Sequence, residues 1–106
     1  MDLGGNNMEK NILAFLKNSI SDNEMRTATI EQGEDFIILE TQDKVFPLIR
    51  DILQRFGKRG QGIAGGGIEV YTLEGGMLLS VCFRQNPIFS HVVETRIYLG
   101  PWTMAY

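Results

Sequence analysis

Between Ile68 and Arg84 two runs, Ile68–Leu73 and Met77–Arg84, alternate between apolar and polar residues and are separated by Glu74-Gly75-Gly76. A period of two is that of a strand, and adjacent glycines supply the positive φ that a tight hairpin needs, so this stretch commits the chain to antiparallel sheet. A third run, Ile88–Leu99, follows Gln85-Asn86-Pro87 and completes a meander. With Gly75-Gly76 as a two-residue turn and the next turn centred on Asn86, one face collects Ile68, Val70, Thr72, Leu79, Val81, Phe83, Phe89 and Val93. That face is the expected core. The other collects Glu69, Tyr71, Leu73, Leu78, Ser80, Cys82, Arg84, Ser90, Val92 and Glu94, too apolar for a plain solvated face and too polar for a second core.

Helical spacing governs two earlier segments. Met8, Ile12, Leu13, Phe15, Leu16 and Ile20 recur on one helix face, with Asn6 and Glu9 in the positions of a capping box. Val45, Leu48, Ile49, Ile52, Leu53 and Phe56 form an i, i+3, i+4, i+7 stripe, started by Thr41 or Asp43 and stopped by Gly57, with Pro47 in its first turn. Between them, Arg26–Glu31, a turn at Gln32–Asp35 and the run Phe36–Leu39 read as a hairpin. The expected fold is a single α+β domain over residues 8–106, after a flexible start at 1–7. It is a two-layer sandwich, an antiparallel sheet of about five strands with two helices on one face, in the order α-β-β-α-β-β-β. That order is similar to profilin-like and roadblock-type modules as topology alone, and topology does not carry function.

The 106 residues hold thirteen acidic and ten basic side chains, a net charge of −3 that offers no global attraction to nucleic acid or an anionic membrane. Residues 1–53 carry ten acids and five bases, and residues 54–106 carry three acids and five bases. Cys82 is the single cysteine, which rules out an intrachain disulfide and a cysteine-rich zinc site and suits a reducing, cytosolic setting. The first residues show neither a basic nor an apolar region of a secretory signal, and no apolar run has the length to span a bilayer. One histidine and dispersed acids give no metal-ligand spacing, so neither metal nor cofactor is expected.

Gly60-Gln61-Gly62-Ile63-Ala64-Gly65 fits the GxGxxG pattern, but it follows a helix and precedes a strand, the reverse of a dinucleotide site, and no helix N-terminus faces the phosphates. The stretch Gly60–Gly67 holds five glycines and is expected to be a mobile loop. Arg55, Lys58 and Arg59 gather beside it, where they offset the negative end of the helix dipole and, in the alternative, hold a phosphate or nucleic acid. His91, expected on the core face near Val81, lies across the sheet from Cys82 and Glu94 and lacks the partners a catalytic base needs; an enzyme built on it is the weakest alternative. Glu31, Glu34, Asp35, Glu40 and Asp43 cluster about the first hairpin, where such acids solvate a turn and cap a helix, as Asp43 is placed to do.

The remaining anomaly is apolar exposure. Tyr71, Leu73, Leu78 and Val92 on the outer face, with Trp102 and Tyr106 beyond the last strand, are the expected contact residues for a protein partner or a second copy of the chain. The function expected from these residues is that of a small, non-catalytic, homodimeric interaction module.

Overall fold

The computed structural model describes residues 5–57, 63–65 and 67–101. Helix α1 (Gly5–Asp22) leads into the hairpin β1 (Thr29–Gln32) and β2 (Ile37–Thr41), then helix α2 (Phe46–Phe56), the short β3 (Ile63–Gly65), and the strands β4 (Ile68–Leu73), β5 (Met77–Gln85) and β6 (Val93–Pro101). The sheet is antiparallel in the order β1-β2-β6-β5-β4-β3. It contains the five expected strands and a sixth, because Ile63–Gly65, in the segment read as a loop, pairs with Ile68–Val70. The rest of Gly60–Gly66 lies outside the described residues, and with it most of the expectation of mobility.

One core holds the layers together. Ile12 and Leu16 of α1 and Leu48, Ile49, Ile52 and Phe56 of α2 are buried against Ile37, Leu39, Leu73, Leu79, Val81, Ile97 and Leu99 of the sheet. All the helical residues in that set belong to the stripes expected from their spacing. The helices meet through an edge-to-face contact of Phe15 with Phe56, ring centroids 5.3 Å apart. Below it the buried Ser19 hydroxyl donates to Asp51 Oδ2 at 2.9 Å, and Asn23 Nδ2 donates to the Ser19 carbonyl at 2.8 Å.

The helix ends differ from expectation. Helix α1 begins at Gly5, so Asn6 lies inside its first turn rather than at its cap. Pro47 takes its place in the first turn of α2, but Val45 is the capping residue and makes no side-chain bond. Asp43 instead ties the segment before β1 to the end of β2: its Oδ2 accepts from the Thr27 amide at 2.7 Å, the Thr27 hydroxyl at 2.8 Å and the Thr41 hydroxyl at 3.2 Å. These donors, the Thr27 amide foremost, hold its carboxyl below the ordinary aspartate range.

The meander departs from the expected register at both turns. Residues Glu74–Gly76 form a three-residue turn with φ of 75° at Gly75 and 74° at Gly76, so that Leu73 pairs with Met77. A side chain disfavours that left-handed geometry, and the pair of glycines accepts it twice in succession. Because strand side chains alternate, this single extra residue reverses β4. Tyr71, opposite Leu79, and Leu73 turn toward the helices, and Ile68, Val70 and Thr72 turn away. The expectation that Tyr71 and Leu73 lie on the outer face is therefore corrected. Strand β6 begins at Val93, not at Ile88, because residues 86–92 form a braced loop. Asn86 Oδ1 accepts from the Ile88 and Phe89 amides, both at 2.8 Å, and Asn86 Nδ2 donates to Glu94 Oε1 at 2.7 Å. Phe89 and His91 consequently leave the core face: both are exposed, with ring centroids 6.2 Å apart.

Candidate interaction surface

With both helices on one side, the opposite side of the sheet is free of them, and the register arranges its side chains in rows. Val70, Ser80, Tyr98, Ile38 and Glu31 lie side by side across β4, β5, β6, β2 and β1. Toward the Glu74–Gly76 turn the next row holds Thr72, Leu78 and Gly100, and in the other direction come Ile68, Cys82, Arg96, Glu40 and Thr29. Arg84 and Glu94 close the array as a pair, Nε to Oε2 at 3.7 Å.

The half of this face nearer the turn is mainly apolar, with Ser80 and Thr72 among its side chains and Glu31 at its β1 edge. Phe36 and Tyr98 stack with centroids 6.0 Å apart and an interplanar angle of 23°. The Tyr98 ring lies along its strand over Gly100, where an added Cβ would fall 2.6 Å from the phenolic oxygen and 2.9 Å from Phe36 Cβ. Glycine at that position is what lets the ring lie flat. The Tyr98 hydroxyl donates to the Pro101 carbonyl at 3.3 Å, and burial, with the negative charge of Asp35, raises its pKa above that of an ordinary tyrosine. Ile38, Val70, Leu78 and Tyr98 are each half-buried.

The residues singled out in the sequence are dispersed. Leu78 lies in this apolar half, and Val92 is half-buried in the 86–92 loop. Leu73 is in the core, 1% exposed. Tyr71 faces the helices and donates to Glu69 Oε1 at 3.2 Å, and burial raises its pKa ahead of that carboxylate's own effect. Trp102 and Tyr106 lie outside the described residues, as do Lys58 and Arg59 of the basic group. Arg55, the remaining member, is exposed with its guanidinium carbon 5.7 Å from the centroid of the Phe56 ring. His91 sits on the 86–92 loop rather than near Val81, and among the described residues no group of three His, Cys, Asp or Glu side chains could hold a metal ion. Glu40 and Glu94 line an open cleft of about 260 Å³ with Thr27, Thr29, Thr41 and Gln42.

Two sets of surface residues escaped the sequence. Phe36, Ile38, Val70 and Tyr98 were hidden because their face depends on registers that the turns set. At the loop end of the β5–β6 hairpin, Ile88 is 80% exposed and Phe89 56%, and Phe46 lies against Phe83 with ring centroids 6.2 Å apart. The signal for that pair was Asn86-Pro87, whose asparagine can cap the following amides and keep the next residues out of a strand.

No family model, no curated protein and no solved structure matches this chain. Among the described residues no helix is long and apolar enough to cross a membrane.

Proposed function

We propose that this chain is a small non-catalytic interaction module of the cytosol that associates with a second copy of itself through the helix-free face of its sheet. The observation that carries the reading is the set of apolar side chains Phe36, Ile38, Val70, Leu78 and Tyr98 on one half of the face, interrupted by Ser80 and bordered by Glu40, Arg96, Arg84 and Glu94. An apolar centre beside a charged margin is the composition of a protein interface. Cys82, a free thiol on that face, is in keeping with a reducing compartment.

Small-angle scattering over a concentration series tests the reading. The forward-scattering mass should rise toward that of a dimer, and Leu78→Glu should return it to a folded monomer, because a carboxylate buried without a partner is costly. A parent that stays monomeric at the highest concentrations, or a Leu78→Glu protein with the parent's mass, would refute it.

A further inference from the structure

We infer that the two copies meet about a two-fold axis running along the strands between β2 and β6, so that Glu40 of each copy faces Arg96 of the partner subunit. The inference rests on the self-association proposed above and specifies its geometry.

Glu40 and Arg96 are Cα partners across β2 and β6. Their neighbours Leu39, Thr41, Thr95 and Ile97 are buried on the helix side, so both project from the helix-free face, where both are exposed. The ion pairs among the described residues are Arg50–Asp51 and Arg84–Glu94, and neither Glu40 nor Arg96 takes part in one. Arg84 and Glu94 are already paired within the chain, whereas Glu40 and Arg96, side by side on β2 and β6 at the border of the apolar half, make no ion pair among the described residues.

A two-fold interface must be complementary to itself, and its axis lies in the interface plane. An axis across the strands lays each strand on its own copy. Passing through the Arg96 row, it sets arginine on arginine and glutamate on glutamate. Moved by half a row toward the Glu74–Gly76 turn, it sets Arg96 on Tyr98 and Glu40 on Ile38, desolvating four charges without compensation. Moved the other way, it sets Arg96 on the row of Glu94, which Arg84 already pairs, and carries the rows of Tyr98 and Leu78 out of the contact. An axis along the strands, midway between β2 and β6, exchanges the two strands instead. Glu40 then lies over Arg96 of the partner subunit, Arg96 over the partner's Glu40, and Ile38 over the partner's Tyr98.

Facing sheets stack about 10 Å apart, a gap that a glutamate and an arginine reaching from opposite sides can bridge. Packed sheets also cross at about 30°. The two residues lie only about 2.4 Å from the axis, half a strand spacing, so that rotation barely separates them. The overlap spans β1, β2, β6 and β5, roughly 19 Å across, which is small for a permanent dimer and sets the association in the weak, concentration-dependent class.

Reversed charges read this geometry directly in sedimentation equilibrium of the full chain. Glu40→Arg alone sets four cations together at the axis, and Arg96→Glu alone sets four anions, so each variant should dimerise at least tenfold more weakly than the parent. An equimolar mixture of the two should recover a dimer of parental strength, since each cation then meets an anion on the other copy. No intramolecular effect of the substitutions predicts that recovery. Both positions are exposed, and thermal unfolding of each variant checks its fold; should a reversed charge unfold the chain, Glu40→Gln and Arg96→Gln should each weaken the dimer without recovery on mixing. Single variants that associate like the parent, or a mixture that remains monomeric, overturn the axis while leaving a Leu78-dependent dimer in place. A monomeric parent removes the face itself along with the axis.

Discussion

Leu73→Ala separates the observed hairpin register from its nearest competitor. In the structure the three-residue turn pairs Leu73 with Met77 and Thr72 with Leu78, and Leu73 is 1% exposed within the core. A two-residue turn would instead pair Leu73 with Leu78 and leave both on the helix-free face. Truncating a fully buried leucine removes its transfer free energy and leaves a cavity, together about 2–5 kcal/mol. For a domain whose whole stability is about 5–15 kcal/mol, that is a large share. At roughly 4–8 °C per kcal/mol for a chain near this size, a 3 kcal/mol loss lowers Tm by roughly 12–24 °C. Leu78→Ala removes a half-buried side chain from the other face and should cost roughly 1 kcal/mol. Guanidinium unfolding followed by circular dichroism measures both, at protein concentrations low enough that self-association adds nothing. If Leu73→Ala proves no more costly than Leu78→Ala, with unchanged m-values, the register and the reasoning that reverses β4 are wrong.

The Asp43 carboxyl is depressed in the folded chain, so its contribution is present above the aspartate pKa of the unfolded chain and is lost as pH falls through the folded value. Asp43→Asn should therefore flatten the acid limb of stability below about pH 4, as followed by thermal unfolding against pH, and an unchanged limb would place the acid sensitivity elsewhere. Asn86→Ala removes the acceptor of the Ile88 and Phe89 amides and a donor to Glu94, at a cost of about 0.5–2 kcal/mol. Amide exchange at residues 88 and 89 should quicken while that at Leu79 and Val81 stays slow; equal protection of the loop in both proteins would mean that the asparagine does not hold it.

What could be read in the residues beforehand follows from how locally each feature is determined. The stripe Leu48, Ile49, Ile52, Phe56 lies on one helix face whatever surrounds it, and so it was recognisable. The first hairpin was equally visible, since Gly33–Phe36 separates two short β-branched runs and the Gly33 amide donates to the Phe36 carbonyl at 2.8 Å. The faces of the meander were not, because they depend on a count. Glycines at 75 and 76 serve a turn of two residues or three, and the difference exchanges Tyr71 and Leu73 with Val70 and Thr72. At the next turn the side chain of Asn86 competes with the ladder for the amides of Ile88 and Phe89, which no alternation pattern records. The apolar face was thus foreseeable in kind, and Leu78 in particular, whereas Tyr98 and Ile38 required the pairing of β6 with β2.

That pairing also has a bearing on how the chain is made. Leu39 meets Ile97, nearly sixty residues later, and β6 lies between β2 and β5. While the polypeptide is being synthesised, every segment up to Gln85 can emerge and still leave two inner strand edges bare. The first half of the domain and the β4–β5 hairpin become one sheet only when residues 93–101 slide between them. Contacts so distant along the sequence make folding slow, and the bare edges of β2 and β5 are open to pairing with a neighbouring nascent chain in the interval. Completion of the last strand is therefore the step at which the domain passes from aggregation-prone to self-contained.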